Sequence, residues 1–238
     1  MEKRPKIGLI VPVGAASPPP EAYRMYPGID FSARTLGLKT MNKEGYDSVV
    51  GKIAEAAAEL AAEKPDALTL IGTSLSFYKG AAFNEEIVQG IRDATGLPCT
   101  SMSTAVVEGL RALGAKRVAV ATAYIDDVNA RLARFLTESG FEVASMIGLS
   151  IEISGMAGSV PDAELVALGK RSAAMADGAD AMLVSCGGLK TLDVTAPLED
   201  ATGLPVVSSM PACLWAAARL VGHDGRAPGY GRLLDRGA

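Results

Sequence analysis

The sequence predicts an α/β protein with two pseudo-symmetric lobes, each a mostly parallel four-stranded sheet flanked by helices. Short apolar runs that end in small or turn residues alternate with longer stretches of helical period, a pattern typical of parallel sheets covered by helices. Of the 238 residues, 49% are hydrophobic but only 5% are aromatic, so small aliphatic side chains must build the core. A segment near residue 94 also recurs near residue 201, which indicates two similar halves.

The apolar runs predict the strands. The predicted strands comprise residues 6–12, 66–74, 97–101, 117–124, 142–149, 181–186 and 204–208. Each run is short, and a small or polar turn follows it, as expected of strands that are buried on both faces of a sheet.

Helical periodicity fills the intervals between these runs. Val49, Ile53 and Leu60 recur at helical spacing and predict a helix from about residue 46 to residue 64. Two aspartates open a second helix at residue 126, and a glycine ends it at residue 140. Further helices are predicted after Phe83, Ser103, Pro161 and Pro211.

An internal repeat organises the chain. Residues 94–105 match residues 201–212 in most positions, and each copy begins with Ala-Thr-Gly-Leu-Pro. We therefore predict that lobe one comprises residues 1–107 plus 213–238, and that lobe two comprises residues 108–212. The alternative is that the shared letters form only a convenient helix stop and strand start.

The repeat also predicts where a ligand binds. A strand that ends in a polar turn precedes each copy, with residues 72–74 in the first turn and residues 186–188 in the second. Ligands of parallel sheets bind beyond the carboxyl ends of the strands. We expect the two turns to face each other across a cleft between the lobes that contains the active site.

Composition excludes several classes of partner and site. Lysine and arginine number 23 against 27 acidic residues, and this net charge of -4 argues against nucleic acid and anionic membranes. No apolar stretch approaches the roughly 20 residues of a spanning helix, and the amino terminus does not resemble a signal peptide.

The three cysteines form no CxxC pair, which favours the cytoplasm. The single histidine, His223, lies in the tail, so we expect neither a Ser-His-Asp triad nor a metal site.

Cys186 is the leading candidate for chemistry. It ends an apolar strand and directly precedes Gly187 and Gly188, whose backbone N–H groups are free to approach a ligand. A thiol in this place could act as nucleophile, base or proton donor. The alternative is an inert buried thiol, which is the interpretation we favour for Cys99 and Cys213.

The first turn and two strand ends complete the candidate cleft. Thr73 and Ser74, after Gly72, offer two hydroxyls for an oxyanion, although they could instead cap the following helix. Tyr124 ends its strand, so its phenol could reach the cleft or could be an ordinary half-buried tyrosine. Pro12 ends the first strand and is predicted to shape the cleft wall.

Four segments of the chain resemble the arylmalonate decarboxylases of the aspartate/glutamate racemase superfamily. They are residues 72–84, 121–129, 185–189 and 228–233. Racemases and isomerases of that superfamily typically have a cysteine in both turns, whereas Gly72 occupies the first turn here. A racemase needs a proton acceptor on one face of a carbanion and a donor on the other, while a decarboxylase needs only one donor.

The resemblance implies a cofactor-independent decarboxylation of α-aryl or α-alkenyl malonates to an enantiopure α-aryl acid. It implies that Cys186 donates the proton, and that Thr73, Ser74, Tyr124 and the amides around Cys186 and Gly187 hold the retained carboxylate as an enediolate. The lost carboxylate would face an apolar pocket, where removal of water favours neutral carbon dioxide. The matching pocket positions are Pro12, Leu38, Met41, Leu75 and Met156.

Two other functions stay open at this point. A racemase or isomerase of a small carboxylic acid is disfavoured, because Gly72 cannot exchange a proton. A noncatalytic carboxylate-binding protein would keep the anion site but would have no reason to keep a thiol against it. For the favoured function we expect a monomer whose partner is a small dicarboxylic acid and which needs neither cofactor nor metal.

Overall fold

The computed structural model describes residues 3–236 and contains two four-stranded sheets in which all strands are parallel. The first sheet comprises β1 (Lys6–Val11), β2 (Asp30–Thr35), β3 (Ala67–Leu70) and β4 (Cys99–Ser101). The second comprises β5 (Arg117–Thr122), β6 (Glu142–Gly148), β7 (Ala181–Ser185) and β8 (Val206–Ser208). Their spatial orders, β2-β1-β3-β4 and β6-β5-β7-β8, are equivalent, so the predicted fold class is confirmed.

Helices connect the strands and cover the sheets. The first half contains α1 (Pro20–Met25), α2 (Lys43–Val50), α3 (Ile53–Ala62), α4 (Thr73–Phe77), α5 (Ala81–Thr95) and α6 (Met102–Ala112). The second half contains α7 (Asp126–Glu138), α8 (Asp162–Met175), α9 (Thr195–Thr202), α10 (Ser209–Leu220) and α11 (Arg232–Arg236), with one 3₁₀ turn at Met156–Ser159.

Small residues let helices lie close to the sheets. A Cβ atom on Gly8 of β1 would lie 2.5 Å from Cδ2 of Leu68 and 3.3 Å from Cβ of Leu60. Leu60 belongs to the buried stripe of α3, so any side chain at residue 8 would push this helix or β3 away. This close approach explains how a core with few aromatic rings is filled.

The two copies of the repeat occupy equivalent places in the two sheets. Gly96 and Gly203 end α5 and α9 in the left-handed conformation, with φ of 69° and 74°. Edge strands β4 and β8 follow them, and α6 and α10 begin directly after these strands. The repeat is a helix stop and strand start in both halves, and its copies also have the same position in equivalent sheets.

Several predicted elements differ from the structure. The helix predicted at 46–64 is two helices, because the chain turns at Gly51 and Lys52 between α2 and α3. The strand predicted at 66–74 ends at Leu70, since the chain bends at Gly72 and Thr73 begins α4. The strand predicted at 117–124 ends at Thr122. Strand β2 and helices α1, α4, α9 and α11 have no counterpart among the predicted elements.

The predicted lobe boundaries stay a prediction. Residues 1–2 and 237–238 of lobe one lie outside the described residues. Helix α10 contacts β3, β4 and α6 of the first half, and it also contacts β7 and β8. Within the described part of the chain, no helix is long and apolar enough to cross a membrane.

Candidate active site

A cavity of about 270 Å³ opens where β1, β3 and β7 end. Both predicted turns line it, with Gly72, Thr73 and Ser74 on one side and residues 186–188 on the other. The rest of its wall is mainly apolar and includes Val11, Pro12, Val13, Leu38, Met41, Ile71, Leu75 and Met210. Among the residues that the structure describes, those that line this cavity include no charged side chain.

The strand register places Gly72 and Cys186 at equivalent positions. Leu70 pairs with Ser101 in the first sheet, and Val184 pairs with Ser208 in the second. Because Ser101 and Ser208 match in the repeat, Leu70 corresponds to Val184. Two residues further along, Gly72 therefore corresponds to Cys186.

The backbone supports the same correspondence. Gly72 has φ of 121°, and Cys186 has φ of 154°, an unusual value for a residue with a side chain. The neighbouring Gly187 cannot be replaced without a shift, since a Cβ atom there would lie 2.8 Å from Sδ of Met102. The second turn is therefore held tightly against α6.

The thiol of Cys186 is buried at the cavity wall. Burial raises its pKa to about 11, although backbone N–H groups of Gly188 and Leu189 and the hydroxyl of Tyr124 oppose the rise. The thiol is therefore protonated at neutral pH. This state suits a proton donor better than a resting nucleophile.

Neither hydroxyl of the first turn caps helix α4. The Thr73 hydroxyl instead donates to Oγ of Ser209 at 2.9 Å, and the backbone N–H of Cys186 donates to the same oxygen at 3.3 Å. The carbonyl of Thr73 accepts hydrogen bonds from the hydroxyls of Ser76 and Ser103, both at 3.0 Å. The capping alternative is therefore wrong, and both residues line the cavity.

Tyr124 is buried behind the second turn rather than half-buried. Its hydroxyl lies 3.3 Å from Oγ of Ser185. Burial and the neighbouring Cys186 raise the pKa of Tyr124, and the hydroxyls of Ser185 and Thr73 partly oppose this rise. The Tyr124 hydroxyl thus lies near the Cys186 thiol and the Thr73 hydroxyl, although Tyr124 is not among the residues that line the cavity.

Tyr46, at the start of the helix predicted from residue 46, is a further buried group near the site. Its side chain is fully buried, and its hydroxyl makes no hydrogen bond to another described residue. Burial raises its pKa, an effect that the nearby Ser74 hydroxyl opposes and the nearby Cys186 strengthens. This unpartnered phenol lies near Ser74, which lines the cavity, although Tyr46 itself does not.

Four of the five predicted pocket residues line the cavity: Pro12, Leu38, Met41 and Leu75. The fifth, Met156, is 53% exposed and lies outside it. The 3₁₀ turn that begins at Met156 places the next residue, the buried Ala157, against the cavity instead. The prediction for Met156 is therefore wrong by one position.

The segment before this 3₁₀ turn joins the two halves at the cavity mouth. The backbone N–H of Met41 donates to the carbonyl of Glu152 at 2.7 Å, and that of Ser154 donates to the carbonyl of Lys39 at 2.9 Å. Met41 and Ser154 both line the cavity. This short antiparallel contact forms part of the cavity wall.

The remaining candidates lie elsewhere. Cys99 and Cys213 are buried, and the Cys213 sulfur lies 3.3 Å from Oγ1 of Thr69. Nδ1 of His223 accepts a hydrogen bond from the backbone N–H of Gly225. Across residues 3–236, no group of three or more His, Cys, Asp or Glu side chains could hold a metal ion.

The buried thiols predict a loss of stability in alkali. Burial raises the pKa of Cys99 and Cys213 to about 12 and that of Cys186 to about 11, whereas an unfolded thiol titrates near about 8.5. Below that value the thiols are protonated in both states and contribute no pH dependence. Above it the unfolded state loses protons first, so the free energy of unfolding falls with pH by up to about 1.4 kcal/mol per unit for each thiol.

Urea unfolding at pH 8 and pH 9.5 measures this fall. The matched control is Cys99→Ala, which removes one of the three thiols. It should reduce the slope of the free energy of unfolding against pH by about a third, because each thiol contributes equally to that slope. An equal slope in the parent and the variant would show that the thiols do not cause the pH dependence.

Comparisons with known proteins agree with the geometry. A family model described as arylmalonate decarboxylase matches residues 7–234. The arylmalonate decarboxylase of Bordetella bronchiseptica is 49% identical over 232 residues, which cover 97% of this chain and 97% of that protein. A maleate isomerase of Nocardia farcinica is 26% identical over 240 residues, covering 96% of this chain and 95% of that protein.

Solved structures give the same result. A crystal structure of arylmalonate decarboxylase matches with a TM-score of 0.89 and 48% identity, covering 98% of this chain and 100% of that chain. The maleate isomerase Iso from Pseudomonas putida S16 shares the fold, with a TM-score of 0.90 at 24% identity and 98% coverage of both chains. The chain belongs to the arylmalonate decarboxylase family.

Proposed function

We propose that this protein decarboxylates α-aryl or α-alkenyl malonates without a cofactor and releases one enantiomer of the α-aryl acid. The observation that carries the proposal is the asymmetry of the two turns. Among residues 3–236, Cys186 supplies the one thiol that lines the cavity, and no charged side chain lines it. The counterpart of Cys186 in the other sheet is Gly72. Membership in the family supports the reaction class.

The retained carboxylate binds to neutral donors from both turns. Thr73 and Ser74, which line the cavity, supply hydroxyls, and the Tyr124 hydroxyl lies near that of Thr73. The Cys186 amide already donates to Ser209, whereas the Gly187 amide has no acceptor among the described residues and lines the cavity. These fixed dipoles stabilise the carboxylate more strongly as it gains charge and becomes an enediolate.

The lost carboxylate faces Pro12, Leu38, Met41 and Leu75. An anion without water or a partner is strongly disfavoured there, whereas neutral carbon dioxide is not. Cleavage of the carbon–carbon bond leaves its electron pair on the α-carbon, and the retained carboxylate delocalises this pair as the enediolate. The apolar wall therefore favours the bond-breaking step over the bound reactant.

Cys186 completes the reaction. Its S–H transfers a proton to the α-carbon, and the enediolate reverts to a carboxylate. The Gly188 and Leu189 amides and the Tyr124 hydroxyl, which favour the ionised sulfur, stabilise the thiolate until water returns the proton. Because Gly72 offers no donor on the opposite side, protonation occurs on one face and gives a single enantiomer.

The same features count against the two alternatives. A two-base racemase or isomerase would need an acid or base at residue 72, which is glycine. A noncatalytic carboxylate-binding protein needs no protonated thiol against its ligand. Cys186→Ser, which adds no bulk to the cavity, would leave ligand binding intact in such a protein, whereas in a decarboxylase it would lower turnover. We propose a monomer as the active form, with a small dicarboxylic acid as its partner. We retain the cytoplasm as its location on the grounds of its unpaired cysteines.

Incubation with phenylmalonate and 2-methyl-2-phenylmalonate tests the proposal. We expect carbon dioxide release from at least one substrate, and a single enantiomer of 2-phenylpropionate from the second. Activity should be unchanged after exhaustive dialysis against EDTA, because no suitable ligand cluster exists in residues 3–236. Absence of release from both substrates would overturn the function, and activity restored only by an added metal would overturn the mechanism.

A further inference from the structure

One buried serine hydroxyl joins the two turns of the site. Ser209 is fully buried and is the first residue of α10. Its Oγ accepts the Thr73 hydroxyl at 2.9 Å and the Cys186 backbone N–H at 3.3 Å. Ser209 does not line the cavity, whereas Met210 after it does. A single oxygen therefore links the first turn to the second from behind the ligand site.

The proton count at this oxygen determines its role. A backbone N–H can only donate, so Ser209 must accept from Cys186, and its own proton stays available for another acceptor. When a carboxylate in the cavity accepts a hydrogen bond from the Thr73 hydroxyl, the 2.9 Å hydrogen bond between Thr73 and Ser209 reverses its direction. Ser209 then donates to Thr73. Only hydroxyl rotations are needed, and the heavy atoms keep their positions.

The result is a chain of donors that ends at the substrate. The Cys186 N–H donates to Ser209, Ser209 donates to Thr73, and Thr73 donates to the carboxylate. Hydrogen bonds in such a chain polarise one another, most of all where the final acceptor gains charge. The chain also holds the strained Cys186 backbone against the first turn.

We propose that Ser209 is a positioning residue that orients Thr73 toward the substrate carboxylate and fixes Cys186 relative to it. This inference rests on the proposed decarboxylation. It concerns a residue that touches neither the substrate nor the reacting atoms. Its contribution should be larger for the enediolate than for the bound malonate, because the charge on the retained carboxylate grows during the reaction.

The test compares Ser209→Ala with Ser208→Ala. Ser208 is the adjacent residue and is also buried, but its hydroxyl bonds to Oγ1 of Thr195 at 3.0 Å and makes no hydrogen bond to either turn among the described residues. We expect Ser209→Ala to lower kcat by about tenfold to a hundredfold, with a smaller change in KM. The reason is that the variant leaves the buried Thr73 hydroxyl and Cys186 N–H without their acceptor. Ser208→Ala should keep kcat within about twofold, even if both variants melt at similarly reduced temperatures.

Two further measurements separate positioning from a general loss of structure. The double variant that combines Thr73→Val with Ser209→Ala should have a kcat less than about threefold below that of Thr73→Val alone, because residues of one hydrogen-bond network act as a unit. Alkylation of Cys186 by iodoacetamide, followed by mass spectrometry with Cys99 and Cys213 as internal references, should be several times faster in Ser209→Ala only.

The outcomes are distinguishable. If the unmodified protein releases no carbon dioxide, the proposed function fails, and the alkylation rates alone decide the inference. If the unmodified protein is active, then unchanged kcat and alkylation in Ser209→Ala overturn the role of Ser209. Equal losses of kcat in Ser208→Ala and Ser209→Ala would likewise reduce Ser209 to a structural residue.

Discussion

Replacement of Cys186 by serine is expected to lower kcat by about a thousandfold, within the range of about 10²- to 10⁴-fold that general acid catalysis provides. A serine hydroxyl is a far weaker acid than a thiol, even a thiol whose pKa burial has raised to about 11. Oxygen can still accept from the Gly188 and Leu189 amides, so we expect the fold to persist. Turnover of phenylmalonate, measured beside a thermal melt, tests both parts.

Cys99→Ser and Cys213→Ser are the matched controls. Both thiols are buried and lie outside the cavity, so each variant should keep its turnover while its melting temperature falls. Near-normal turnover in folded Cys186→Ser would mean that the proton comes from another group. Tyr124 and Tyr46 would then be the first candidates, since both phenols lie close to this thiol.

The sequence predicts most of the fold because buried parallel strands leave a strong local signal. Strands β5 and β7 contain the continuous apolar runs 118–121 and 181–184, and both strands were predicted with an error of two residues or fewer at their ends. Strand β2 lacks this signal. It lies at the edge of its sheet, and only Phe31 and Ala33 among its residues are buried. Its alternation of apolar and polar residues is too short to stand out from the loops around it.

Residues at the cavity were predicted where they lie in a turn directly after a strand, and they were missed where they lie on helices distant in the sequence. Cys186 and Gly72 follow strands directly, so their position in sequence already places them at the sheet edge. Tyr46 of α2 lies near Ser74, and Ser209 of α10 bonds to both turns. Both positions depend on how the helices pack. The assignment to Met156 rather than Ala157 reflects a 3₁₀ turn, in which one position decides which side chain faces the cavity.

Introduction of a second thiol opposite the first should convert part of the activity into racemisation. Gly72→Cys places a thiol at the position that the strand register pairs with Cys186. One thiolate can then remove the α-proton of a 2-arylpropionate, and the other thiol can return a proton to the opposite face of the enediolate. The parent protein has a single thiol at the cavity and should hardly catalyse this exchange.

The geometry around Gly72 sets the cost of this substitution. A Cβ atom there would lie 3.3 Å from Cγ of Pro12 and 3.4 Å from Cβ of Leu75, so the wall must move by a few tenths of an ångström. The φ of 121° also disfavours any side chain, by about 1–3 kcal/mol. Since Pro12 and Leu75 line the proposed pocket for the lost carboxylate, we expect decarboxylation to fall by about a hundredfold, which corresponds to about 2.7 kcal/mol.

Deuterium incorporation at the α-carbon of enantiopure 2-phenylpropionate in heavy water is the direct measurement. Gly72→Ala is the matched control, because it adds the same Cβ atom and backbone strain without a thiol. We expect exchange and reduced enantiomeric excess in Gly72→Cys only, with both variants impaired in decarboxylation. If folded Gly72→Cys binds the acid yet shows neither exchange nor racemisation, the two turns do not address opposite faces of the substrate. The single enantiomer would then have to come from the way the cavity wall orients the aryl group rather than from the missing second thiol.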